Sequence, residues 1–213
     1  MTPYISADEM QRQMDQLISD VKRVRLEDTA GLRRNGPWIQ THTGRAYPLA
    51  APIAEDVCIE DVAFALAHST RFNGHAGSYS IAQHSVHVAE TVLRLTEDPS
   101  LAFVGLMHDA HEAYVGDCVS PLKALLPFFR EVERLSWEAV AEHFGLPLLL
   151  PAVVRHADLV LLATEVRDFL GPGDREWDFP MPAPLADQKL CAWRAQTARE
   201  MFMAAFERLR GSA

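Results

Sequence analysis

Histidine and aspartate stand side by side in the run Leu106-Met107-His108-Asp109-Ala110-His111-Glu112, and both residue types bind divalent cations. The apolar residues just before them, Phe103, Val104, Leu106 and Met107, should be packed inside. An aspartate is rarely buried unless it is paired or coordinated. The same difficulty recurs at Asp158, set in the apolar stretch Val153-Val154-Arg155-His156-Ala157-Asp158-Leu159-Val160, and His84, in Gln83-His84-Ser85, stands upstream where it can complete the set. Separate internal partners for all four groups would be needed if each were structural, whereas one shared cation satisfies them together. Two His and two Asp form a mixed nitrogen and oxygen set, suited to Zn, Mn, Co or Fe(II) and poorer for Ca. The expected cofactor is a divalent cation (Zn, Co, Mn, Fe or Mg) on His84, His108, Asp109 and Asp158. Its expected chemistry is activation of water.

The elements that must deliver these groups are helical almost throughout. Ser6 is placed to cap a first helix whose apolar residues Met10, Met14, Leu17, Ile18 and Val21 recur at three- and four-residue steps. Between Leu26 and Pro52, Gly31, Gly36, Pro37, Gly44 and Pro48 interrupt the pattern, and 38–41 with 45–49 read as a short hairpin. Helical spacing resumes over 59–68, followed by a polar loop over 70–78. Ser80 caps a long helix through Leu95, and Pro99 opens another that carries the His-Asp pair to about Gly116. Helices are expected over 127–144, stopped by Gly145, over 151–170, stopped by Gly171-Pro172-Gly173, and over 185–209. The expected fold is a single all-α domain over 1–213, a bundle of six or seven helices with a small irregular N-terminal region. Residues 108 and 109 point about 100° apart around a helix, so an ion shared by both must lie beside that helix edge.

The order His84 … His108-Asp109 … Asp158 resembles the ligand pattern of the HD-domain metal-dependent phosphohydrolase superfamily. It is closest to the branch of 5′-deoxynucleotidases and deoxynucleoside triphosphate hydrolases. Three further matches carry that likeness: Arg71 in Thr70-Arg71-Phe72-Asn73-Gly74-His75, Glu112 three residues after the pair, and Gly116-Asp117 followed by Pro121 and Lys123. The resemblance spans roughly 59–170, and its motifs are specific in combination. It implies an all-α fold, a divalent cation and hydrolysis of phosphate esters or anhydrides of (deoxy)nucleotides.

Individual roles follow from that resemblance together with the residue chemistry. Glu112, i+4 from His108, faces the same helix edge and is implied as general base for water or general acid for the leaving group; a second partner for a ligand histidine is the other reading. Asp117 either orients substrate or water, or is a turn residue after Gly116. Arg71 offers a guanidinium fork that suits phosphate, where a surface loop arginine is the plainer reading. Phe72 stands where the deoxynucleotidase branch has a Trp that helps exclude a ribose 2′-hydroxyl. Lys123 either neutralises a distal phosphate or is an exposed lysine at a helix start. His87, one turn after His84, is placed to line the pocket, His111 to support by hydrogen bonding, and His42, His68 and His143 to be structural.

Composition bounds the alternatives. A net charge of −9 over 213 residues argues against a nucleic-acid polymer or a membrane surface as partner. Cys58, Cys118 and Cys191 are odd in number and form no Cys-x-x-Cys pattern, as expected for reduced thiols in a cytoplasmic chain. The N-terminal residues lack the pattern of a secretory signal, and no apolar run reaches membrane-spanning length. A cyclic-dinucleotide or alarmone phosphodiesterase is the enzymatic alternative, although the sequence lacks a His-His-Glu-x-x-Asp-Gly-x-Gly-Tyr-Pro type pattern. A non-catalytic signalling module of the same fold is the other, and it has no need of five intact site residues. Relatives in the resembled branch imply a homodimer, for which the apolar residues Trp193, Met201, Phe202 and Phe206 offer a face or a core.

Overall fold

The computed structural model describes residues 29–175 and 177–211, together with Glu9, Gln11, Arg12 and Gln16. The expected first helix, from Ser6 to Val21, falls almost wholly outside the described residues. A short helix α1 (Thr29–Asn35) leads into an antiparallel hairpin of β1 (Trp38–Gln40) and β2 (Ala46–Pro48), with Ile39 opposite Tyr47. Gly44, at φ 86°, closes that turn.

Six helices of nine residues or more then build the body among the described residues: α2 (Ile59–His68), α3 (Ile81–Thr96), α4 (Pro99–Met107), α7 (Pro127–Phe144), α8 (Ala152–Glu165) and α9 (Ala195–Arg210). Two shorter ones, α5 (Glu112–Val115) and α6 (Ser120–Leu125), link α4 to α7. The fold is thus the expected all-α bundle with a minor hairpin.

The central element is α3. Ser80 caps it by accepting from the Gln83 amide at 3.2 Å, and every residue from Ile81 to Ala89 is buried. It packs against α4, α8 and α9. Approach to α4 is close because Gly105 has no side chain: a Cβ there would lie 3.2 Å from Val92 Cγ2 and 3.4 Å from Ala89 Cα. Asp98 caps α4 by accepting from the amides of Ser100 and Leu101 at 2.8 and 3.3 Å. Phe202 and Phe206 of α9 complete the core, the latter against Phe103 and Phe144, and only Met201 of that set is well exposed.

Three helix boundaries differ from the sequence reading. The helix carrying the His-Asp pair does not run on to Gly116 but ends at Met107. The turn that follows is held by i→i+3 bonds from Ala110 N to Met107 O and from Glu112 N to Asp109 O. In this turn His108 Nε2 and Asp109 Oδ2 lie 3.2 Å apart. The 151–170 helix finishes in a π turn (Val166–Leu170). The last helix begins at Ala195 rather than 185, because Arg167 and Asp168 tie the preceding strip down as irregular chain. Arg167 donates to Leu185 O and Gln188 O, and the Leu190 amide donates to Asp168. Among the described residues no helix is long and apolar enough to cross a membrane.

Candidate metal centre

His84 arrives from the first turn of α3, His108 and Asp109 from the turn after α4, and Asp158 from the second turn of α8. His84, His108 and Asp109 place ligand atoms within 4.8 Å of one another. His84 Nε2 lies 3.7 Å from Asp109 Oδ2 and 3.2 Å from Asp158 Oδ1; His108 Nε2 lies 3.2 and 3.9 Å from the same two oxygens. Both Nε2 atoms are buried, and neither makes a hydrogen bond of acceptable geometry. Unsatisfied buried nitrogens are costly and need an explanation. Two lone pairs and two carboxylates converging at these distances fit a shared cation. Asp158 is less enclosed than its apolar neighbours suggest: its side chain is 41% exposed, at the rim of the cluster.

The other ring nitrogen of each histidine is fixed. His108 Nδ1–H donates to Gly105 O at 2.8 Å, and His84 Nδ1–H donates to Glu165 Oε1 at 2.6 Å. A proton held at Nδ1 leaves Nε2 as the ligand atom, the arrangement that orients metal-binding imidazoles. Burial and Arg71 push His84 down, yet in the cation-free site Glu165 and Asp158 outweigh them and raise it to about 9, so Nε2 would give up a proton on binding a cation. Burial likewise opposes the ionised Asp109, but His108, His84 and Arg71 overcome it and hold this carboxyl far below the usual carboxylate range.

Arg71 lies against the cluster. Its Nε donates to Glu165 Oε2 at 3.0 Å, its Nη1 sits 3.7 Å from Asp109 Oδ2, and its guanidinium lies 5.5 Å from the centre of the Phe72 ring. Phe72 is half-buried against the core and adopts a left-handed φ of 56°, uncommon for a bulky residue and costing on the order of 1–3 kcal/mol. Such strain persists where the surroundings over-determine it, here a bridge between Thr70 and Ser80 that pins the ends of the loop.

Glu112 is buried and its Oε2 has no hydrogen-bond partner. Burial, then Asp109 and Asp117, raise it well above the ordinary carboxylate value. Lys123 Nζ stands 3.8 Å from Glu112 Oε1 and 2.5 Å from Glu133 Oε1, so it is neither an exposed helix-start lysine nor a free cation. His111, Glu112 and Glu133 form a second group of ligand-type atoms within 4.8 Å. The Lys123 ammonium already supplies positive charge there, and burial pushes His111 down to about 4. Asp117 is half-buried and raised by burial; its electrostatic neighbours are Arg71, Asp109, Lys123 and His84, which places it at the site.

The remaining histidines lie elsewhere. His87 does not line the centre; it packs on Trp193, in the strip that precedes α9, and contacts Glu90. His75 is exposed. His42 stacks on Phe64, while the Nδ1 atoms of His68 and His143 bond to the carbonyls of Phe64 and Ala54. Three residues escaped the sequence reading: Glu165, Tyr79 and Glu133. A signal for Glu165 existed, since it follows Asp158 by two helical turns within the apolar run Leu161-Leu162-Ala163-Thr164. Tyr79 and Glu133 carried none.

No family model matches the chain. It is 39% identical over 132 residues to uncharacterized protein YfdR of Escherichia coli (strain K12), an alignment that covers 62% of this chain and 71% of that protein. It is 33% identical over 162 residues to an uncharacterized protein of Rhodobacter capsulatus, covering 70% of this chain and 82% of the relative. The chain belongs to the family that contains these two proteins.

Proposed function

We propose that this protein is a metal-dependent phosphohydrolase of the HD-domain kind, acting on (deoxy)nucleotides. The observation that carries the reading is the pair of buried, hydrogen-bond-free Nε2 atoms of His84 and His108, facing Asp109 and Asp158. These four residues would hold one divalent cation. When bound, such a cation supplies a lowered pKa for water and polarisation of a phosphoryl oxygen.

The chain's own residues supply the rest. Arg71, with one edge fixed on Glu165, offers its remaining N–H groups to non-bridging phosphoryl oxygens. Glu112, raised by burial and by two neighbouring carboxylates, is suited to hold and pass on a proton. It either takes the proton from the attacking water or gives one to the leaving oxygen as the phosphorus–oxygen bond breaks. Lys123 holds the far side of Glu112, anchored by Glu133, and Asp117 stands beside Arg71 and Asp109 to orient substrate or water. Phe72 borders Arg71, in position to meet the sugar of a nucleotide whose phosphate Arg71 holds. The resembled branch implies a homodimer and a cytoplasmic setting, and sedimentation tests the first of these.

The test is phosphate release from a panel of nucleoside mono- and triphosphates, after chelation and reloading with Mn, Co, Zn or Mg, with products separated by chromatography. Cation-dependent release from deoxynucleotides is expected, and the product separates a monophosphatase from a triphosphohydrolase. A cation-loaded protein inert toward every nucleotide in the panel, yet active on a cyclic dinucleotide or an alarmone, would replace this reading with the phosphodiesterase one.

A further inference from the structure

Glu165 is fully buried, yet it receives three donors from three parts of the chain. Its Oε1 accepts from Tyr79 O–H at 2.9 Å and from His84 Nδ1–H at 2.6 Å, and its Oε2 accepts from Arg71 Nε at 3.0 Å. Tyr79 precedes α3, His84 lies within it, and Arg71 belongs to the loop after α2. Glu165 itself is the last residue of α8, the helix that also presents Asp158. Its position is braced from behind, because Phe169 in the π turn packs on the Tyr79 ring with centroids 4.5 Å apart.

We propose that Glu165 is a positioning residue that sets the cation ligand His84 and the anion-binding Arg71 from a single carboxylate, so that cation and phosphate affinities rise and fall together. Arg71's part in this rests on the phosphohydrolase reading above. The physical case has two halves. A carboxylate on Nδ1 fixes the tautomer and the ring plane of a ligand histidine, and losing such a partner typically weakens metal binding about 10- to 100-fold. A guanidinium held through Nε keeps its other edge pre-aimed, so less freedom is lost when an anion binds. With Glu165 removed, Arg71 has Asp109 as its nearest remaining carboxylate, at 3.7 Å. It would swing onto a cation ligand, and one substitution would thereby disturb both halves of the site.

The test uses the full chain, with Mn titrated calorimetrically into chelated protein and inorganic phosphate titrated into cation-loaded protein. For Glu165→Gln the expected result is a fall in Mn affinity of about 10- to 100-fold, a parallel fall in phosphate affinity, and a larger change in KM than in kcat for any nucleotide turned over. Tyr79→Phe, which keeps the carboxylate and both other donors, is expected to lose much less of each. Imidazole nitrogen NMR of the zinc-loaded wild type gives a readout that survives even if Glu165→Gln fails to fold. His84 is expected to carry its proton on Nδ1, and a proton on Nε2 overturns the proposal. Unchanged Mn and phosphate affinities in Glu165→Gln overturn it too, as does loss of one without the other. If both affinities fall while wild type hydrolyses no nucleotide, the phosphohydrolase reading fails and the positioning role stands.

Discussion

The Glu112 carboxyl is buried beside two other carboxylates, Asp109 and Asp117, and one of its oxygens has no partner. A carboxyl whose folded-state pKa is raised stabilises the fold below its unfolded value, about 4.3, and that stability is lost as pH rises through the folded value. At neutral pH the cation-free fold has therefore lost stability that it has near pH 4. Glu112→Gln keeps the shape and removes the charge, so the cation-free variant is expected to melt above wild type at pH 7, with the difference shrinking toward pH 4. The same variant should keep its cation and lose about 10²- to 10⁴-fold in kcat. A calorimetric melt and a steady-state assay check the two halves. Unchanged turnover would remove Glu112 from proton transfer. Arg71→Lys tests its neighbour: a lysine cannot donate to Glu165 and grip a phosphoryl group with the same planar fork. KM for nucleotide is expected to rise about tenfold or more, with the loss of a charge-assisted bond worth about 1.5–3 kcal/mol, while cation content stays near that of wild type.

At the scale of elements, the helices that hold the ligands are set by local signals, and those were legible in the sequence. Ser80 caps α3, Pro99 opens α4, and Gly145 ends α7 at φ 69°, whereas the Asp98 cap beside Pro99 is seen only in the structure. The break after Met107 was not legible, because residues 102–107 are uniformly apolar and no glycine or proline stands at the turn. Glu165 was missed for a related reason: its three partners are 81, 86 and 94 residues away in sequence. Of the four candidate ligands, His108, Asp109 and Asp158 were legible because polar groups stood out in apolar stretches, and the structure brings all three together with His84. Asp98→Ala is expected to cost about 0.5–2 kcal/mol. Gly105→Val should cost about 1–3 kcal/mol by overpacking against Val92 and Ala89, a drop of roughly 2–4 °C in Tm per kcal/mol for a chain of this size. Gly105→Val should also weaken cation binding, since Gly105 O holds His108 Nδ1. A variant that melts early yet binds the cation like wild type would show that α4 packing and ligand placement are independent.

For the whole molecule, the candidate cation centre lies where α3, α4 and α8 meet, and a ligand that binds there would tie α8 to the α3–α4 pair. Anything that binds the folded chain and not the unfolded one adds stability by mass action, about 2.7 kcal/mol when its free concentration is a hundred times its Kd. Added Mn or Zn is therefore expected to raise Tm in a concentration-dependent way, and chelation to lower it. Alanine at His84 or His108 should abolish that shift while leaving far-ultraviolet circular dichroism unchanged. The net charge of −9 sharpens the point: an acidic chain that binds a nucleotide needs local positive charge to offset its own field, and Arg71, Lys123 and a bound cation are the groups placed to provide it.

The most direct test of this centre is the cation content of the purified protein, measured by elemental analysis before chelation and after reloading, for wild type and for His108→Ala. One divalent cation per chain in wild type, absent from the variant, is the expected result. A wild-type chain that retains no divalent cation after reloading with Zn, Mn, Co, Fe or Mg would contradict the account at its root.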